Sequence, residues 1–241
     1  MYETVQRSFT GLDLLDLLAQ AARRIRAHPV GTVRLAVLPN FAITVLPPVL
    51  AQFHRLYPEV KVTVEALGHR AVEDRVFLGQ ADLGIGVVAP PRDGIRADLL
   101  ARARYLCALP PGHRLADKAM IHVTDLGGER FIGPMHEADA LWNGIDAALT
   151  TADVEIVRML ECQQSLPMYA YVEAGLGISI VEPFSARLFR RVGVVTRPVE
   201  PLISLDFTLI EPDIGPTPPP ICWLREAIKR EADTAMAEAE R

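Results

Sequence analysis

The chain is predicted to be an α/β protein of two doubly wound halves with a cleft between them, on three observations. Short stretches of alternating apolar residues are repeatedly followed by stretches whose apolar residues fall three and four apart. Prolines recur where helical stretches open, Pro47 and Pro48 in one and Pro167 in another, the one place where a missing N–H leaves no helical bond unmade. The order strand, helix, strand, helix, strand runs through residues 32–88, and similar alternation resumes after residue 103 without a flexible linker.

Each element has its own reason. In "GLDLLDLLAQAARRIRAH" the residues Leu14, Leu18, Ala21 and Ile25 recur at helical spacing, beside a second stripe of Leu15, Ala19 and Ala22. Pro29 ends this helix, and its double apolar stripe calls for a partner chain or the protein body. "TVRLAVLP" (32–39) reads as a strand and "ITVLPPVLAQFHRLYP" (43–58) as a helix. "VKVTVEAL" (60–67) alternates as a strand, "HRAVEDRVFLGQ" (69–80) is a short helix, and "ADLGIGVV" (81–88) is a buried strand, expected to pair in parallel.

In the second half, "ARYLCALPPGH" (103–113) is a strand running into a Pro-Gly turn and "ERFIGP" (129–134) a short strand. A helix over 138–152, a strand over 154–162, a helix over 164–175 and a strand over 177–183 follow. Residues 197–213 read as one extended run. The last helix, 218–240, carries the stripe Ile221, Leu224, Ile228, Ala232 and Ala235. Ligands of such sheets bind where helix starts meet strand ends, which predicts a pocket lined by residues 38–44, 132–137 and 163–168.

Composition narrows the function. Half of the 241 residues are apolar and 23% charged, the profile of a compact domain. The formal net charge of −5 argues against a broad nucleic-acid-binding surface. Cys107, Cys162 and Cys222 form no CxxC pair, so they read as buried free thiols rather than as disulfide partners or a zinc site. His54, His69 and His113 read as residues of solvated helix faces or turns. No signal peptide and no long uncharged apolar run is seen, so the protein is expected in the cytoplasm, away from membranes. No catalytic constellation, metal site or cofactor motif emerges: "HEADA" (136–140) lacks a second histidine, and "GLGIS" lacks the third glycine of a dinucleotide fingerprint.

Four stretches in order carry a family resemblance: "GTVRLAVLPNFAITVLPPVLAQFHRLYPEVKVTVE" (31–65), "LGQADLGIGVV" (78–88), "LCALPPGHRLA" (106–116) and "YVEAGLGISIVEPFSA" (171–186). Residues 31–236 resemble the effector-binding region of LysR-type transcriptional regulators, a two-lobed fold like that of type II periplasmic binding proteins. The resemblance implies lobe I over 31–101 and 205–236 and lobe II over 102–204. "GISIVEPFSA" with "RPVEPLISLDFTLIEP" looks closer to the branch that senses opines and related amino acids. Residues 1–28 are similar to the end of the family's DNA-binding wing and its dimerising linker helix, where Arg7, Arg23, Arg24 and Arg26 are either near phosphate or solvated. The helix-turn-helix through which relatives bind DNA is expected to be absent from this chain, which as written is not expected to bind an operator specifically.

The same resemblance implies the site. The effector is expected against Leu38, Pro39, Asn40, Phe41 and Ala42, the loop after the first strand. Relatives often place hydroxyls there to hold a carboxylate; here only Asn40 and Thr44 are polar, which shifts the task to backbone N–H groups. Asn40 is alternatively a helix cap, and Phe41 alternatively a core residue. Val87 is expected to border the cleft, as are Ile132, Gly133 and Pro134. Gln164 and Ser165 open the next helix, with ligand bonding favoured for Gln164 and capping for Ser165. Glu137, Asp139 and Glu182 are candidates to meet a ligand amine, and His69 is a further one. The implied partners are a small-molecule effector (amino acid, opine or other carboxylate) and further copies of the chain in a homodimer or homotetramer. Two other readings stand beside it, a solute-binding protein of the same fold and an enzyme built on it.

Overall fold

The computed structural model describes residues 31–87, 93–135, 140–213 and 216–239. The expected linker helix with its arginines, and Glu137 and Asp139, lie outside the described residues.

The first lobe is built on a sheet of five strands in the order β2-β1-β3-β11-β4, namely β1 (Thr32–Val37), β2 (Lys61–Ala66), β3 (Leu83–Val87), β4 (Ile95–Arg104) and β11 (Ser204–Pro212). Its first three strands pair in parallel, while β11 runs antiparallel to both β3 and β4. Helices α1 (Pro39–Thr44), α2 (Leu46–Leu56), α3 (His69–Phe77) and α7 (Pro219–Ala239) cover it. Strand alternation decides which residue meets which helix. Val33, Leu35 and Val37 enter the core with Val49 and Phe53 of α2 and Leu224 and Ile228 of α7, whereas Ala36 turns to Val72 and Val76 of α3. Helix α3 lies so close that a methyl group on Gly84 would stand 2.9 Å from a Val76 methyl, which is why "LGIGV" alternates with glycine on that face.

The second lobe contains β5 (Leu106–Leu109), β6 (Ile121–His122), β7 (Arg130–Pro134), β8 (Val157–Cys162), β9 (Ser179–Val181) and β10 (Val195–Glu200). The order β6-β10-β5-β9 is joined to the parallel β7-β8 pair through Phe131 and Ile178, where Ile178 N–H donates to Arg130 O and Ile132 N–H to Ile178 O, both at 2.8 Å. The sheet is buried on both faces. Cys107, Leu109, Phe131 and Ile180 face one core, and Leu106, Ala108, Ile132 and Val181 face the other, against Met168, Tyr169 and Val172 of α5 (Ser165–Glu173). Helices α4 (Ala140–Thr151) and α6 (Ala186–Arg190) complete the lobe.

The chain crosses between lobes at β4–β5 and again at β10–β11. The run expected as one extended segment over 197–213 is therefore two strands in different sheets, broken at residues 201–203. Strand β4, helix α1 and helix α6 are further elements that the sequence reading did not separate. The expected stripe of the last helix is buried at all five positions. All three cysteines are free; Cys107 is buried, with its thiol pushed up to about 12 chiefly by loss of water, while Cys162 and Cys222 are half-buried rather than buried as expected. His113, expected in solvent, is only 16% exposed, with Nε2 3.3 Å from Glu129 Oε2 and Nδ1 accepting the Leu115 N–H.

Candidate functional site

The described candidate residues lie just after β1 and β2 of one lobe and β8 and β9 of the other, or, for Val87 and Ile132–Pro134, within the ends of β3 and β7. Leu38 is the N-cap of α1, Gly68 the N-cap of α3 and Gln164 the N-cap of α5, and none of the three helices receives a side-chain cap bond. The lobes meet here. A methyl group placed on Gly68 would stand 3.7 Å from Gln164 Nε2 and 3.9 Å from Gln163 Nε2, so both amides reach across to the backbone of lobe I. His69 follows Gly68 in the chain, and its Nδ1 accepts the Val87 N–H at 3.4 Å.

The structure sorts the expected residues. Leu38, Ala42 and Val87 are half-buried against the lobe I core, and Pro39 occupies the first turn of α1. Asn40 is the second residue of that helix and not its cap, because Leu38 takes the cap position; its side chain bonds Glu182. Phe41 is a core residue, with its ring 4.6 Å from Phe184 and 5.2 Å from Phe207, so it offers no face to a ligand. Ile132 is likewise enclosed among Met168, Tyr169 and Val181, while Gly133 and Pro134 are buried in the β7–β8 pair. Ser165, favoured as a cap, instead donates its hydroxyl to Glu182 Oε1 at 3.4 Å.

Glu182 is 1% exposed and is not available to an amine in the cleft. Burial pushes its carboxyl above the ordinary value, against the pull of hydrogen bonds from Ser185, Phe184 and Asn40. Its neighbours tie the lobes together. Phe184 enters the lobe I core, and Arg187 donates to Thr44 O at 2.8 Å and pairs with Glu238 of α7 at 3.0 Å. A groove of about 510 Å³ beside this seam is lined by Ile43, Leu166, Pro167, Leu188, Phe189 and Val192.

Gly68 lies at this junction outside the expected lining, whereas Gln163 opens the expected stretch 163–168 without having been singled out in it. The available signal was the Gln163-Gln164 pair at a strand-to-helix junction and the glycine before His69.

A family model described as the LysR substrate binding domain matches residues 26–233. This chain belongs to the LysR family of transcriptional regulators. The regulatory protein NocR of Agrobacterium tumefaciens (strain T37) is 30% identical over 228 residues, which cover 95% of this chain and 75% of NocR. The octopine catabolism/uptake operon regulatory protein OccR of Rhizobium meliloti is 30% identical over 208 residues, 86% of this chain and 67% of OccR. Among solved structures, the effector binding domain of QuiR in complex with shikimate superposes with a TM-score of 0.69 at 15% identity, covering 85% of this chain and 98% of that one. Full-length BenM E226K superposes with a TM-score of 0.70 at 20% identity, covering 97% and 77%.

The LysR-family chain is thus an effector-binding domain of the type II periplasmic-binding-protein-like fold, and its relatives are regulators rather than enzymes or solute carriers. Among the described residues no group of histidine, cysteine and acidic side chains is placed to hold a metal, and no helix is long and apolar enough to cross a membrane. Among the described residues, the junction of this LysR-family chain offers two glutamine amides, one imidazole and the N–H groups at the starts of α3 and α5. Such groups bond carboxylates and amides by direction more than by charge.

Proposed function

We propose that the domain senses a small carboxylate or amino-acid-like metabolite, with opines the leading class, in the cleft at the junction of Gly68 with Gln163 and Gln164. The division behind this reading is lobe I over 31–101 and 205–236 and lobe II over 102–204. The observation that carries it is the reach of both glutamine amides from lobe II to the backbone beside His69 of lobe I. An effector seated there bonds both lobes at once and favours one setting of the lobes over another. A coupling of about 1–3 kcal/mol is typical of such shifts. Leu38, Pro39, Asn40, Ala42 and Val87 supply backbone and half-buried edges on the lobe I side, Gly133 and Pro134 the floor of lobe II, and Gln164 the directed bond. The similarity to OccR, whose name ties it to octopine catabolism, supports the opine class.

The regulator acts in the cytoplasm as a homodimer or homotetramer, reaching DNA through a helix-turn-helix. Removing residues 1–28 is expected to leave a dimer and to weaken a tetramer, read by sedimentation. Calorimetric titration with octopine, other opines and arginine tests the ligand class. One site per chain is expected, weakened at least about tenfold, or ~1.4 kcal/mol, by Gln164→Ala. Absence of heat from every one of these ligands removes the opine and amino-acid class.

A further inference from the structure

On the side of the molecule where the chain crosses between lobes, both lobes wall a hollow of about 1230 Å³. Arg104 stands at the first crossing and Leu202 at the second, β10 and residues 117–120 form the lobe II wall, and Met236 closes it from α7. The chain as a whole carries −5, yet the hollow reverses that balance. Arg104, Lys118, Arg190 and Arg197 line it against only Asp117 and Glu200. Two of those cations are already engaged. Arg197 donates to the carbonyls of Ala116, Lys118 and Thr196, and Lys118 pairs with Asp125 at 2.5 Å. Arg104 and Arg190 are exposed and make no side-chain hydrogen bond or ion pair with the described residues. Apolar side chains accompany them, among them Met120, 49% exposed, and Leu202, 62% exposed.

We propose that this hollow is a second binding site, for an organic anion with an apolar body. A free guanidinium takes a carboxylate or sulfonate through paired charge-assisted hydrogen bonds, which a lysine cannot match in direction. The apolar body removes Met120, Leu202 and Met236 from water, the contribution that makes most small-molecule pockets bind. The hollow exceeds the roughly 300–1,000 Å³ of ordinary ligand pockets, so an occupant fills its inner part and leaves the mouth open. Because both lobes supply walls, an occupant stabilises one lobe setting from a place lined by none of Gly68, His69, Gln163 and Gln164. That regulatory consequence rests on the effector-sensing reading above; the binding itself does not.

The test is a fluorescence titration of the full chain with anilinonaphthalene sulfonate, an aromatic anion that brightens out of water. One saturable site is expected. The double variant Arg104→Ala/Arg190→Ala weakens it at least about tenfold, as loss of charge-assisted bonds predicts. Leu202→Glu, which brings a like charge to the rim, weakens it too, whereas Gln164→Ala leaves it unchanged. The uncharged analogue phenylnaphthylamine responds less than about twofold to the arginine variant, since only the anion uses the guanidinium groups. All three substituted rim residues are exposed, so the fold is retained, as circular dichroism will record. Unchanged affinity in the arginine variant overturns the proposal, as does an equal loss in Gln164→Ala, which would put the probe in the glutamine cleft. Binding that never saturates also overturns it, as adventitious surface adsorption.

Discussion

Replacing Phe184 by alanine tests how the two lobes are fastened. The residue follows β9 of lobe II, but its ring is 1% exposed within the lobe I core, 4.6 Å from Phe41 and 5.3 Å edge-on from Phe207. Emptying a fully enclosed phenylalanine site costs roughly 3–5 kcal/mol, because the surrounding side chains collapse only in part. Two lost ring contacts, at about 0.5–1.5 kcal/mol each, belong toward the upper end of that range. A loss of about 4 kcal/mol corresponds, for a chain of this size, to a fall of roughly 8–16 °C in Tm. Phe184→Leu keeps most of the volume and is expected to lose under about 1.5 kcal/mol. Urea unfolding followed by fluorescence and by circular dichroism measures both variants. A loss below about 1 kcal/mol for the alanine variant would refute the placement, since an enclosed ring has no route to so small an effect.

Two glycines of the AGLG turn give a paired prediction. A methyl group on Gly177 would collide with the carbonyl of Arg130, which accepts the Ile178 N–H that joins β7 to β9. Gly175 has a φ of +76° and open space around it. Gly175→Ala is therefore expected to cost about 1–2 kcal/mol through backbone alone. Gly177→Ala should cost clearly more and loosen β7 from β9; equal losses in denaturant unfolding would contradict the steric account. Glu182→Gln addresses pH. Since burial raises the folded carboxyl above its ordinary 4.5, its stabilising contribution is full below that value and is lost as pH rises through the folded one. Stability of the glutamine variant relative to the parent should climb across that window and then level off. A flat difference between the two curves would mean that Glu182 is not desolvated.

Elements with strong periodicity were legible, and those fixed by distant contacts were not. The stripe of α7 repeats over five positions, so helical spacing alone located it and its buried face. Helix α1 has only six residues and begins at Pro39 directly after β1, too short to show a period. Strand β4 mixes exposed and buried residues along a sheet edge, and "IRADLLARAR" therefore has no clean alternation. At the site, Gln164 was readable from its place between a strand and a helix. Phe41 stayed undecided because the rings that enclose it, Phe184 and Phe207, lie far along the chain. The role of Gly68 depends on how near lobe II comes, which no local pattern encodes. Glu182 was expected to meet a ligand amine, and only the approach of α1 and α5 closes it off.

Hydrogen exchange of the full chain with and without octopine tests most directly that one metabolite is read by both lobes. Simultaneous protection is expected in peptides spanning residues 68–71 and 163–167, one from each lobe, with loss of both effects in Gln164→Ala. Protection confined to a single lobe, in the presence of saturating ligand, would contradict the account.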